Sequence, residues 1–405
     1  MPDEKMNKRP TDRVERTVFA RKREPFSRGC GCAFVELSRK TADPQLIIEG
    51  KALLSLLHEA AQQDVMLFGH QNAGHLGISL RTKDGTDSDV KRISGSHPAV
   101  VGIDALSLFG PEGQMEQTIE VTKNLHREKV IITLSMHAPN FLTCDENFSG
   151  YSPNRKDPPV VDAILPGGSQ NEKYLRYLDL VCDYAAQCVD DNGRPIPMIF
   201  RPFHENNGTW FWWGADSCSP EVYKELFRYT LWYIREQCGI HQFLYAYSPN
   251  GPFRGEEDYL SRYPGDDVID IIGFDMYHDR PTRDDDWMII LRDTCRIVAA
   301  IARDRHKTAA VTEAGLRMLD KAPDGCEYEG LYPQGNPRID WFCECLDTIF
   351  SDPLSARIAY FLVWANFSKD QFWVPYITDD VSGHEMVDSF TRFINRSEVL
   401  LADQL

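Results

Sequence analysis

Two glutamates stand where a carboxylate needs a chemical reason to be. Glu205 follows the mostly apolar run Ile196–Phe203, and Glu313 follows the run Thr308–Thr312. A single Glu at such a place reads most simply as a surface or salt-bridge residue, with Arg201 as the partner of Glu205. Two of them facing one pocket read as a glycosidase dyad. One carboxylic acid protonates the leaving oxygen and the other carboxylate attacks the anomeric carbon. That chemistry needs one carboxyl protonated and one ionised, so their surroundings must differ. Arg201 and Tyr277 are candidates to hold the nucleophile ionised. His204 and the Trp-rich loop are candidates to raise the pKa of the acid.

The segment Thr209-Trp210-Phe211-Trp212-Trp213-Gly214 places four aromatics in a row just after Glu205. Flat aromatic rings stack on the C–H faces of pyranoses, so the segment is a candidate sugar platform. About half of these rings are expected to pack beneath the loop as a staple. Trp364 is a second platform candidate, because its strand end opens directly into the site. Trp373 is a lesser one.

The elements that would position these residues follow a regular alternation. Short apolar runs occur at Val65–Gly69, Val100–Leu106, Val130–Met136, Ile196–Phe203, His241–Tyr247, Val268–Met276, Thr308–Thr312 and Arg357–Trp364. Runs of this kind suit parallel strands buried on both faces. Amphipathic stretches at Lys51–Gln63, Gln114–Glu128, Asn171–Val189, Pro220–Gln237, Asp284–Arg303, Ile339–Phe350 and His384–Asn395 have helical spacing. Ser219-Pro220 is a helix start, with Ser as the cap and Pro at the first helical position. Eight strands alternating with helices predict a single (β/α)₈ TIM barrel of the α/β class over residues 29–405, preceded by a flexible tail, residues 1–28. The competing fold, an open doubly wound sheet, is weakened because no GxGxxG follows the first strand.

In such a barrel the C-terminal strand ends build the site. Here they supply His70-Gln71-Asn72, Asp104, His137, His204-Glu205, Ser248-Pro249-Asn250, Asp275-Met276-Tyr277-His278, Glu313 and Trp364. Two long loops, Ala138–Gln170 and Arg317–Pro337, lie on the same face.

Composition narrows the classes further. The chain has 405 residues, 42% of them hydrophobic, with 44 Lys and Arg against 61 Asp and Glu, a net charge of −17. So acidic a chain repels phosphate, so no nucleic-acid or anionic-membrane partner is expected. No run of about 18 apolar residues is present to span a membrane. Residues 1–28 show no signal-peptide apolar region, so a cytoplasmic location is expected, or a secreted one if a leader precedes this sequence. The 11 cysteines are an odd number with no CxxC repeat, which fits free thiols. No feature argues for an oligomer, and a monomer is expected.

The string Arg201-Pro202-Phe203-His204-Glu205-Asn206-Asn207-Gly208, running into Trp210-Phe211-Trp212-Trp213-Gly214, resembles glycoside hydrolase family 26, typified by β-1,4-mannanases. Phe68-Gly69-His70-Gln71, Gly102-Ile103-Asp104, Ser135-Met136-His137, Tyr247-Ser248-Pro249-Asn250, Asp275-Met276-Tyr277 and Val311-Thr312-Glu313-Ala314-Gly315 match in the family's order, from about residue 65 to 367. The resemblance implies a retaining glycosidase with Glu205 as acid/base and Glu313 as nucleophile. It implies that His204 orients the acid/base region and that Arg201 and Tyr277 bond the nucleophile. It also implies that His137, Trp210, Asp275 and Trp364 contact the sugar. The implied substrate is β-mannan or mannooligosaccharides. No cofactor and no catalytic metal is expected. β-1,3-Xylan and mixed-linkage β-glucan remain open within the same fold and dyad.

Three other classes fit the residues less well. His204-Glu205 begins an HExxH string, but position 208 is Gly, so the second zinc ligand is missing. His70, His75, His97 and His137 are the alternative metal donors. A Cys nucleophile has no Cys at a strand end, Cys144 lying in a long loop. A non-catalytic carbohydrate-binding barrel would keep the aromatics and lose a carboxylate, yet both glutamates are present.

Overall fold

The computed structural model describes residues 25–26, 40–109, 114–144, 154–322, 325–378 and 383–405. The expected tail, apart from residues 25 and 26, lies outside the described residues, as do Cys30 and Cys32. Eight parallel strands form the core: Met66–Gln71 (β1), Val100–Asp104 (β2), Ile131–Met136 (β3), Met198–Pro202 (β4), Phe243–Tyr247 (β5), Ile271–Asp279 (β6), Thr308–Arg317 (β7) and Ile358–Val363 (β8). Each pairs with the next, and β8 returns to β1 through Leu67↔Tyr360 to His70↔Val363, closing the barrel. The expected (β/α)₈ fold is present, with each of the eight anticipated strands found.

Every residue of β1 to β5 and β8 is buried, which explains why those strands read as continuous apolar runs. Side chains alternate between two packed layers. Phe68, Ile132, Phe200 and Phe274 belong to the cluster that also contains the surrounding helices, Tyr174, Leu226 and Val298 among them. Leu67, Ile199, Leu244, Ile271 and Leu362 belong to a second cluster with Leu53 and Leu57 of the first helix, Ile48–Gln62.

That first helix stands outside the alternation. Its entry is tied to the segment before β5 by Ile47 N–H to the His241 carbonyl (2.9 Å), and its last carbonyl, on Gln62, accepts from Arg357 just before β8 (2.6 Å). It therefore crosses the N-terminal end of the barrel and closes its floor. Five of the six later expected helices are found within a few residues of their bounds, and the sixth, Val387–Ile394, is shorter. Ser219 caps the helix Pro220–Trp232 by accepting from Val222 N–H, as its sequence position predicts. The β1–β2 and β5–β6 connections carry only the short helices Asp89–Ser94 and Glu256–Leu260. Among the described residues no helix is long and apolar enough to cross a membrane.

Two features raise one wall above the barrel mouth. Strands β6 and β7 continue past their neighbours as a paired ribbon ending at Asp279↔Arg317. Beside it, Glu329–Gly330 pairs with Gln371–Phe372, joining the loops that follow β7 and β8. Arg317 is thus the last residue of a strand, not the first of a loop.

Candidate active site

The chain turns sharply where β4 ends. Phe203 and Glu205 both have left-handed backbones, with φ of 52° and 51°. For residues with a Cβ each costs on the order of 1–3 kcal/mol and persists only where the surroundings enforce it. Three hydrogen bonds do so. Tyr223 O–H donates to the Phe203 carbonyl (3.0 Å), Trp213 indole N–H to the His204 carbonyl (2.7 Å), and Glu205 N–H to the Ser248 carbonyl (2.7 Å). The corner brings the Glu205 side chain to the cavity, where Trp210 N–H donates to its Oε2 at 2.6 Å. Trp210 folds back across Gly208, where a Cβ would lie 2.5 Å from the indole ring.

Glu313 reaches the same cavity from inside β7. A bulge shifts the β6–β7 register so that Phe274 faces Val311 while Asp275 faces Glu313, leaving Thr312 as the extra residue. Glu313 Oε2 accepts from Arg201 Nη2 (2.7 Å) and its Oε1 from Tyr277 O–H (2.6 Å). Arg201 donates its other arm to Asp275 (2.7 Å), whose carboxylate also accepts from Ser248 (2.7 Å) and Thr312 (2.8 Å).

The two glutamates sit in opposite surroundings. Burial raises the Glu205 carboxyl well above the ordinary range, and the negative charges of Glu313 and Asp275 add to that rise. Glu313 instead meets a guanidinium and a phenol. Burial and the charge of Glu313 push the Tyr277 phenol up, so it stays protonated and donates. Burial pushes Asp275 up to about 7, although Arg201 pulls it the other way.

The expected site residues divide into two tiers. Glu205, Glu313, Trp210, Tyr277 and Trp364 line a cavity of about 600 Å³. Arg201, His204 and Asp275 lie beneath it, each almost fully buried. Asp275 was expected to touch sugar. Its carboxylate is taken up by Arg201, Ser248 and Thr312, so it anchors Arg201 instead. His204 was expected to orient the acid. Its ring forms no hydrogen bond with Glu205 and lies T-shaped to His137 and Phe211, with centroids at 4.5 and 5.2 Å. Burial, with Arg201 and His137 nearby, drives its pKa well below the ordinary value, so the ring is neutral. His137 lies next to Trp364, with centroids 5.9 Å apart, and bonds Asp104 through Nδ1 at 2.6 Å. Burial opposes charge on His137, but the Asp104 carboxylate outweighs it and raises the imidazole pKa.

Of the four consecutive aromatics, Trp212 and Trp213 are fully buried and only Trp210 and Phe211 border the cavity. Trp373, the lesser candidate, lines it too. Sequence reading missed Ser248 and Thr312 as the supports of Asp275, and Asp279 and Arg317 on the raised ribbon. The Tyr247-Ser248-Pro249 string carried a signal for the first. The ribbon had none, because it depends on how far two strands extend.

Among the described residues, one group of three potential metal ligands comes within 4.8 Å: His204, Asp275 and Glu313. Arg201 already bonds both of its carboxylates, filling the cation's place with a guanidinium. His70, His75, His97 and His137 are not part of that group. Burial lowers His70, His75 and His97 to about 4. No cysteine among the described residues lines the cavity.

Fold and site together define a (β/α)₈ barrel carrying two carboxylates of unlike environment, one just past the end of its fourth strand and one within its seventh, beside an aromatic wall. The chain belongs to glycosyl hydrolase family 26, whose family model matches residues 42–314. A mannan endo-1,4-β-mannosidase of Bifidobacterium adolescentis is 33% identical over 80% of this chain and 32% of that protein. One from Bacillus subtilis is 26% identical over 50% of this chain and 56% of its own length. The chain thus spans between about a third and just over half of these relatives. Among solved structures, the catalytic domain of a Bacillus sp. JAMB-750 endo-β-1,4-mannanase superposes with a TM-score of 0.82 at 34% identity, covering 91% of this chain and 95% of that one. A modular Cellulomonas fimi endo-β-1,4-mannanase gives 0.81 at 34%, covering 91% and 78%.

Proposed function

We propose that this protein hydrolyses β-1,4-mannosidic bonds in mannan or mannooligosaccharides with net retention, through a glycosyl-enzyme. The observation that carries the reading is the contrast between Glu205, whose carboxyl pKa burial raises well above the ordinary range, and Glu313, bonded by Arg201 and Tyr277. In the first step a Glu313 oxygen bonds to the anomeric carbon as the glycosidic C–O bond breaks, and Glu205 gives its proton to the leaving oxygen. In the second, Glu205, now a carboxylate, takes a proton from water. That water displaces Glu313 and restores both carboxyls.

Arg201 and Tyr277 hold the nucleophile against rotation, and Asp275 holds Arg201. Trp210 fixes Glu205 by hydrogen bond and offers its ring to the substrate, as does Trp364. Mannan as the substrate is supported by the names of the relatives and of the similar structures.

The test is product analysis on unbranched β-1,4-mannan and mannopentaose, with β-1,3-xylan and mixed-linkage β-glucan alongside, for the wild type, Glu205→Ala and Glu313→Ala. Mannooligosaccharides released first as the β-anomer, lost in Glu313→Ala and retained on activated leaving groups in Glu205→Ala, are the expected result. Cleavage of xylan or glucan alone overturns the substrate. Full mannan activity in both variants overturns the dyad.

A further inference from the structure

The raised ribbon carries a cation that the reaction outlined above does not use. Arg317 closes β7 with its guanidinium carbon 4.6 Å from the centre of the Tyr277 ring. Asp279, its register partner on β6, holds it by two parallel hydrogen bonds, Nε to Oδ1 at 2.7 Å and Nη2 to Oδ2 at 2.9 Å. A forked pair fixes the plane of the guanidinium as well as its position. As a half-exposed ion pair it would add little to stability. Its placement over a ring is a different matter, because that ring is the phenol bonded to Glu313.

A cation over an aromatic face is attracted by the ring's negative potential. The same field draws electron density away from the phenol oxygen and strengthens its O–H as a donor. Tyr277 thus has Arg317 on its face and Glu313 Oε1 2.6 Å from its hydroxyl. Gly315 faces Tyr277 across the two strands and carries no side chain to displace the ring.

We propose that Arg317 is a positioning residue for the double displacement, acting through Tyr277 to orient and polarise the hydrogen bond that holds Glu313. The inference rests on Glu313 being the nucleophile. Charge leaves Glu313 when the glycosyl ester forms and returns when water displaces it. A polarised phenol stabilises the returning charge, so the hydrolysis of the ester is the step that Arg317 assists.

The experiment is steady-state kinetics on mannopentaose for Arg317→Gln, Arg317→Lys, Tyr277→Phe and the double variant Arg317→Gln/Tyr277→Phe, each checked by thermal melting. Arg317→Gln should lower kcat roughly 5- to 30-fold, the rate equivalent of one cation–π contact. Arg317 and Asp279 also border the cavity, so KM separates the roles: a residue that assists ester hydrolysis lowers kcat without raising KM, whereas a sugar contact raises KM. Arg317→Lys, which keeps the charge, should recover most of the loss. In the Tyr277→Phe background the Arg317→Gln change should cost nothing further, because the hydroxyl it acts through is gone. Asp279→Asn, which loosens the fork without removing the charge, should fall between wild type and Arg317→Gln. Two results overturn the proposal. One is a higher KM with unchanged kcat, which would make Arg317 a sugar contact. The other is an equal kcat loss with and without the Tyr277 hydroxyl. An active Glu313→Ala would instead overturn the dyad on which the proposal rests, and a wild type inactive on mannopentaose would overturn the substrate; the same preparations distinguish the cases.

Discussion

Arg201 donates to Glu313 at 2.7 Å from a position where both side chains are almost wholly buried. The same guanidinium is bonded by Asp275 on its other arm. One buried cation therefore compensates two buried carboxylates. Its removal leaves both without their counter-charge, which for a buried pair costs about 3–5 kcal/mol. Arg201→Met should lower the unfolding free energy by that order, read by urea denaturation, and abolish mannan hydrolysis. Arg201→Lys keeps the charge but loses the two-armed geometry. It should fold with a smaller loss and remain well below wild-type activity.

The raised pKa of Glu205 fixes the sign of the pH dependence. In the proposed mechanism the acid form of Glu205 is the reactive one in the first step, so kcat/KM should fall as pH rises through that raised value. The Trp210 N–H bond favours the ionised form of Glu205 and so pulls the pKa down. Trp210→Phe keeps the apolar bulk and removes the donor. The basic limb of its pH–rate profile should move to higher pH, and an unmoved limb would show that the indole does not set the acid's strength.

The same burial has a stability consequence. A carboxyl whose folded pKa lies above its unfolded value is at no disadvantage below the ordinary Glu range, and becomes destabilising as pH rises from there. Glu205→Gln should therefore melt close to wild type at pH 4 and increasingly above it at neutral pH. A melting difference constant with pH would contradict the buried, protonated state of Glu205.

The parts of this molecule legible in the sequence are those where one local signal has one structural outcome. Strands buried on both faces leave continuous apolar runs, so the residues that end them are identifiable in the sequence. Glu205 and Glu313 stand out that way, and the structure places both at the cavity, with Arg201 and Tyr277 bonded to Glu313. Depth beneath the cavity was not legible. Asp275 and Trp210 are both polar-capable residues near strand ends, yet one lies under the floor and the other on the wall. The difference comes from the β6–β7 bulge at Thr312 and from the left-handed turn at Phe203 and Glu205. The extension of β6 and β7 past the barrel was equally hidden, because the apolar pattern ends at the mouth while pairing continues to Arg317.

The aromatic string divides by depth, and mutation should divide it the same way. Trp212 and Trp213 are fully buried, with their indole N–H groups bonded to the carbonyls of Ala138 (2.8 Å) and His204 (2.7 Å). Either one changed to Ala should cost about 3–5 kcal/mol of stability through the cavity left behind. Trp210→Ala removes a side chain that is 38% exposed. It should melt near wild type while losing activity on mannan. A Trp210→Ala variant as unstable as Trp213→Ala would make the whole string a structural staple.

Gly315 offers a test of how tightly the cavity wall is built. A Cβ at this position would lie 2.3 Å from Trp373 Cδ1 and 3.2 Å from Tyr277 Cε1. Trp373 is buried and large, so it cannot yield by swinging into solvent. Gly315→Ala should force Trp373 and Tyr277 apart. Overpacking of this kind costs roughly 1–3 kcal/mol, a modest fraction of the stability of a domain. The catalytic effect should be larger, because Tyr277 moves relative to the Glu313 oxygen it bonds. The expected outcome is a folded protein with a slightly lower melting temperature and at least a tenfold lower kcat on mannopentaose. Full activity in Gly315→Ala would mean that the wall yields without disturbing Tyr277.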